Sequence, residues 1–249
     1  MNHPQDWYKT KEQAEGYQEF QKSYMGPSRF LCLQLAGRKI GTSPLRILDL
    51  GCGTGAAVPM LRELFPEAKI TGVDIEPEML DVAKRLYEDS NIEFLEGSSQ
   101  KFPYEIGEFD FIFSFSSFRL WDNPVLCLKE IQKHLSANGL AYIADLRKDI
   151  SSQIQSEALK KTSDFKSLVE EQIESAYTID EVENLLDKAD ISDYLIYDQP
   201  FSVLFQNRAQ QKRITEKLAE FTIDSDALNA KQNLHSMLYH LFIYPENHE

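Results

Sequence analysis

Arg46-Ile47-Leu48-Asp49-Leu50-Gly51-Cys52-Gly53-Thr54-Gly55 is the stretch on which the reading of this chain turns. Its first five residues are β-branched or leucine-rich around Asp49 and too short for a helix, so they read as a buried strand. Three glycines at alternate positions then let the backbone turn sharply and approach a ligand closely. Val58, Leu61, Leu64 and Phe65 recur at helical spacing, so the turn feeds a helix N-terminus. Lys69-Ile70-Thr71-Gly72-Val73-Asp74 is a second strand, closed by an acid 19 residues beyond Gly55. An acid at that point is placed to accept hydrogen bonds from both hydroxyls of a ribose.

A dinucleotide would call for G-x-G-x-x-G, with a pyrophosphate set against the helix N-terminus. Here the spacing is G-x-G-x-G, and Asp49 stands two residues before the first glycine. A carboxylate repels a pyrophosphate and attracts a cationic amino acid moiety. The pattern therefore suits a ligand with a ribose and an amino group but no phosphate. S-adenosylmethionine has those parts.

Ile47 to Gly55, followed by Gly72-Val73-Asp74-Ile75-Glu76-Pro77-Glu78-Met79-Leu80, resembles motifs I and II of class I S-adenosylmethionine-dependent methyltransferases, chiefly those that modify small molecules. The resemblance implies a Rossmann-like, doubly wound, seven-stranded α/β sheet. It is mostly parallel with the last strand antiparallel, and has helices on both faces. It covers about residues 7–207 as one methyltransferase domain, with 1–40 as an N-terminal helical lid and 149–178 as a helical cap insertion. Residues 208–249 form a C-terminal helical extension, packed on that domain or at a homodimer interface.

Composition narrows the partners. A chain of 249 residues, 42% hydrophobic, can bury the core of one domain. The polar first thirty residues lack a signal-peptide core, and no apolar run reaches the length of a membrane span. Cys32, Cys52 and Cys127 form no CxxC pair, so neither disulfide nor metal is expected. These features point to a cytoplasmic protein that does not associate with a membrane. The net charge of −14 leaves no basic stripe for a phosphate backbone, which sets nucleic acid aside as a substrate.

The remaining site residues follow the chain. In the resembled family the N-terminal region packs over the cofactor, and Tyr17 is the preferred contact among aromatics that otherwise pack helices. Asp49, Gly51, Cys52, Gly53, Gly55 and Asp74 form the cofactor loop and ribose site. Ile75 and Met79 resemble the residues flanking the adenine ring, although Met79 also suits a plain core position. After the strand Asn91–Leu95, Ser98 stands where many family members have an Asp that accepts from the adenine amino group, with Ser99 beside it. A serine hydroxyl bonds there without charge assistance. Ser114 and Phe115 end the fourth strand, at the edge where such sheets bind ligands.

Acceptor residues are harder to read. Arg119 and Leu120 occupy the places where the family often carries His-His before Trp-Asp-Asp-Pro. A histidine base is therefore missing there, and Arg119 offers a cation for a substrate oxyanion or a pair for a neighbouring acid. Asp145 and Arg147 end strand five as pocket candidates, or as a structural pair. Tyr177 precedes a capping box, Thr178 with Glu181, that opens a helix. Ile191–Asp198 and Phe201–Gln206 would complete the sheet. A last helix from about Asp226 to Phe242 presents Leu234, Met237, Leu238 and Leu241, with His235 beside that face. The expected function is methyl transfer to O, N, S or C of a small-molecule metabolite, with Asp145, Tyr177 and His235 as the only candidate bases. An S-adenosylmethionine-binding protein that transfers no methyl and a protein methyltransferase are the alternatives.

Overall fold

Seven strands in the order β3-β2-β1-β4-β5-β7-β6 make the central sheet. The structure is a computed structural model, and it describes residues 10–40, 43–88, 91–98, 101–102, 106–161, 166–198, 214, 216–217 and 237–246. The sheet's parallel part is β1 (Arg46–Leu50), β2 (Lys69–Asp74), β3 (Ile92–Glu96), β4 (Phe109–Phe115) and β5 (Leu135–Leu146). Phe111, Phe113, Ile112, Ile143 and Tyr142 are fully or almost fully buried, as a sheet covered on both faces requires. Strand order reverses between β1 and β4, and that switch point sets where a ligand can enter.

The first helices lead up to that edge. Thr10 caps α1 (Lys11–Phe20) through a capping box with Gln13. A π-helical turn, Gln21–Met25, joins it to α2 (Gly26–Lys39). α2 buries Phe30, Leu31 and Leu33 in the main core beside Ile47, Phe111 and Phe113, whereas α1 meets α4 (Pro77–Leu86) through Ala14, Tyr17, Met79 and Val82. α3 (Val58–Leu64) follows the glycine turn, and a 3-10 turn, Phe118–Leu120, follows β4. α5 (Pro124–Lys133) starts at Asn123, whose side chain accepts from the Leu126 N–H. α6 (Ser152–Lys161) and α7 (Lys166–Glu174) bury Ala158, Val169 and Ile173 against the α2 side of the core. α8 (Ile179–Lys188) opens with the expected Thr178–Glu181 capping box.

The C-terminal part departs from the sequence reading. Leu238–Ile243 is not helical but forms β7, inserted antiparallel between β5 and β6 (Tyr194–Tyr197) and buried along its whole length. The seventh, antiparallel strand exists as expected, but residues 238–243 supply it; Phe201–Gln206 lie outside the described residues. Leu238 and Leu241 therefore pack into the cores on opposite faces of the sheet and cannot form the apolar face of a dimer helix. β5 also starts at Leu135 rather than after Gly139, with a register shift opposite Phe109–Phe111. No described helix is long and apolar enough to cross a membrane.

Candidate active site

The C-terminal ends of β1, β2 and β4, together with α1 and α2, enclose a cavity of about 280 Å³. Its floor is the glycine turn. Gly51 has φ +74°, and a Cβ there would lie 2.5 Å from Ser117 Oγ. Ser117 is itself held by Ser114 Oγ at 2.8 Å and by the Leu50 carbonyl. Gly53, φ +54°, has nothing within 4 Å of its Cβ position, so the turn stays open toward the cavity there. Its N–H donates to Asp74 Oδ2 at 2.7 Å, and the Glu76 N–H donates to Asp74 Oδ1 at 3.0 Å. Burial raises the Asp74 carboxyl above its ordinary value, against the pull of those backbone N–H groups.

Asp49 lies beneath the turn, 3% exposed, and its Oδ2 has no partner among the described residues. Burial pushes this carboxyl up to about 7; Arg29 opposes the rise and Asp74 adds to it. Arg29 reaches the same cavity from α2. Its guanidinium carbon sits 4.9 Å from the centre of the Phe115 ring, and Nη1 donates to the Gln21 carbonyl at 3.4 Å. Desolvation lowers its pKa, with Tyr17 and Asp49 pulling the other way. The π-helical turn brings the Gln21 side chain to the cavity wall, where Oε1 is buried without a partner among the described residues. Thr54 Oγ1 is in the same condition. Buried polar atoms are normally hydrogen-bonded. Three open acceptors on one cavity are complementary to a ligand that carries several N–H or O–H donors.

Residues 42–221 match the family model described as a methyltransferase domain. The chain belongs to that family. It is a class I, S-adenosylmethionine-dependent methyltransferase domain, and the sheet and switch point are those of the class. The methyltransferase is 36% identical over 100 residues to a demethylmenaquinone methyltransferase of Chlorobaculum tepidum, 40% of each chain. It is 31% identical over 127 residues to a malonyl-[acyl-carrier protein] O-methyltransferase of Bacillus cytotoxicus, 51% of this chain and 44% of that one. Matches of this kind span about half the length of those relatives or less. In overall shape it is similar to the plantazolicin methyltransferase BamL, solved with a triazolic desmethylPZN analog and SAH. The TM-score is 0.76 at 20% identity, covering 98% of this chain and 94% of that one.

Of the residues picked from sequence, Tyr17, Asp49, Gly51, Cys52, Gly53, Asp74, Ile75, Met79, Ser98 and Phe115 all line the cavity of the methyltransferase. Gly55 and Ser114 stand behind it. Gly55, φ +75°, turns the chain against Tyr87 and Phe94, while Ser114 braces Ser117. Ser98 Oγ accepts from the Lys101 N–H at 3.1 Å, a bond that fixes the serine at the rim. Ser99 and His235 lie outside the described residues.

The four residues read as facing the acceptor do not line the wall. Asp145 is fully buried and paired with Arg119 at 2.6 Å, so the pairing with Arg147 is replaced by one across two strand ends. Arg147 forks onto Asp149 at 2.7 and 2.8 Å and reaches Asp198 at 3.2 Å. The Tyr177 ring packs edge-on against Phe118, and burial raises its phenol. No described residue of 149–178 lines the cavity either.

Among the wall residues not picked from sequence are Gln21, Arg29, Thr54 and Trp121. Arg29 carried one signal, a lone cation running straight into the apolar stretch Phe30-Leu31-Cys32-Leu33. Among the described residues no cluster of His, Cys, Asp and Glu is able to hold a metal ion.

Proposed function

We propose that this methyltransferase moves a methyl group from S-adenosylmethionine to a nucleophilic atom of a small molecule. One observation carries the reading: three unpartnered buried acceptors surround an open glycine turn, one step from a carboxylate already oriented by backbone N–H groups. On this reading Asp74 takes the ribose hydroxyls, Ile75 and Met79 flank the adenine, and Ser98 meets its edge. Asp49, Gln21 and Thr54 receive the amino group, and Arg29 faces the carboxylate. The bound sulfonium supplies an electrophilic methyl carbon.

The chain's own part is to hold donor and acceptor in line and to keep water out. Phe115 at the end of β4, and Ser116, Leu120 and Trp121 after it, line the cavity, and we assign them to the acceptor side. Relatives named for demethylmenaquinone and malonyl-[acyl-carrier protein], and a neighbour solved with a triazolic desmethylPZN analog, support a small organic acceptor group, free or held on a carrier. The net charge of −14, with Arg29 the only cation on the described wall, speaks against a polyphosphate chain.

Two measurements test the reading. Calorimetry with S-adenosylhomocysteine is expected to show micromolar or tighter binding. Tritiated S-adenosylmethionine, offered with a panel of amines, thiols, phenols and carboxylic acids, is expected to yield labelled product from at least one class. Binding without any product would leave a cofactor-binding protein in its place. No binding at all would overturn the assignment.

A further inference from the structure

Ser116 has a positive φ of 60°, a conformation that strains a residue with a side chain. It is the first residue after β4 and lines the cavity, so the acceptor-side loop starts from a strained turn. One buried group holds the turn. Arg119 Nη1 donates to the Ser116 carbonyl at 2.8 Å and to its Oγ at 3.0 Å. The same nitrogen meets Asp145 Oδ1 at 2.6 Å, and the Arg119 N–H donates to Asp145 Oδ2 at 2.9 Å. Asp145 is fixed in turn at the end of β5, where Oδ1 also accepts from the Leu146 N–H at 2.7 Å. Both charged side chains are 1% exposed or less. The Ser116 N–H closes the arrangement by donating to the Ala144 carbonyl at 2.8 Å.

We propose that Arg119 and Asp145 are positioning residues for transfer. Together they hold Ser116 left-handed and so set where Ser117, Leu120 and Trp121 stand on the acceptor side of the cavity. A buried ion pair is a weak source of stability by itself, and its best-attested use is to specify a geometry. Here the pair links the ends of β4 and β5 through Ser116, the one non-glycine residue of positive φ on the described wall. Neither Arg119 nor Asp145 lines the cavity, whereas Ser116, which Arg119 holds, does, and this separates the role from direct contact with substrate or cofactor. The inference rests on the methyl-transfer reading for its kinetic arm only.

The test pairs Arg119→Met with Asp145→Asn, which removes both charges and keeps one acceptor oxygen at 145 for one of the two backbone N–H groups, of residues 119 and 146, that the carboxylate accepts from. Ser116→Gly is then added, because glycine adopts a positive φ without strain. The sequence has two tryptophans, so a Trp7→Phe background makes Trp121 the only reporter. In the paired variant the Trp121 emission is expected to shift to the red and become more accessible to acrylamide. S-adenosylhomocysteine affinity should change by no more than about threefold, since the glycine turn and Asp74 are untouched. Transfer to the best acceptor of the panel should fall about a hundredfold in kcat, the scale expected of a misplaced wall. Adding Ser116→Gly should return the emission to that of the parent and restore most of kcat.

A paired variant with parental emission and kcat would overturn the proposal. Loss of emission and kcat that Ser116→Gly leaves unchanged would overturn it as well, showing a general packing role. If the parent transfers no methyl to any acceptor, the functional reading has failed, and the emission with and without Ser116→Gly still decides the positioning role.

Discussion

Burial holds the Asp49 carboxyl at about 7, against 3.8 for an unburied aspartate, so between those values the folded chain keeps a proton that the unfolded chain has lost. Its contribution to stability therefore falls as pH rises through that window and levels off above it. His240 acts in the opposite sense. Buried and bonded to the Tyr142 hydroxyl at 2.7 Å, it stays neutral down to about 3, whereas the unfolded imidazole takes a proton near 6.5. Its contribution is complete above about 6.5 and is lost as pH falls. Between about 4 and 6.5 the two slopes oppose one another. In Asp49→Asn only the histidine slope survives, so the melting temperature should drop more steeply from pH 6.5 to 4 than in the parent. Identical slopes would show that Asp49 is not the carboxyl held protonated. The same variant should bind S-adenosylhomocysteine about ten- to a hundredfold more weakly at pH 8, the range for a hydrogen bond to a charged group. In the parent, affinity should climb as pH rises through about 7. A second residue-level expectation concerns Gly51→Ala. The new Cβ combines φ +74° with a 2.5 Å approach to Ser117 Oγ, so a loss of about 2–3 kcal/mol is expected in denaturant titrations. Ser117→Gly should recover part of that loss.

At the scale of single elements, α1 and α2 differ in how firmly they are held. α2 is part of the main core, whereas α1 rests on α4 through a small cluster and the exposed Arg85–Glu15 pair. Exposed pairs of that kind contribute at most about 1 kcal/mol. Amide exchange should thus be faster in α1 than in α2, and S-adenosylhomocysteine should slow it in α1 through Tyr17. Equal protection in the two helices would contradict this picture. Both helices fall within residues 1–40, which were expected to be helical, and β1, β2 and α4 are legible where glycine, proline and strand signals coincide. The π-helical turn between the helices is not. It adds a residue to a turn without changing composition, and Gln21 reaches the cavity because of that extra residue. The Arg119–Asp145 pair was open in the sequence only as an arginine with some neighbouring acid. Which acid depends on how the ends of β4 and β5 align, a register that residue spacing does not carry. Its energetics can be checked directly: Arg119→Met alone strands a buried carboxylate and should cost about 3–5 kcal/mol, while the paired change with Asp145→Asn, which leaves no buried charge and keeps one acceptor oxygen, should cost less.

For the molecule as a whole, β7 is where sequence and structure part. Leu234, Met237, Leu238 and Leu241 fit helical spacing, but a strand between two others with both faces covered carries no alternation to betray it. Tyr239, Leu241, Phe242 and Ile243 are fully buried. The position of β7 also has a consequence in time. It begins 40 residues beyond Asp198 in sequence, yet it lies between β5 and β6 and pairs with both. While the chain is being made, both strands must leave the ribosome before the segment that joins them. Through that interval β5 carries an open hydrogen-bonding edge, the kind of template that recruits other chains. A growing polypeptide halted between 198 and 237 would therefore be expected to engage chaperones or aggregate, and release past 246 to end that state within one cooperative step.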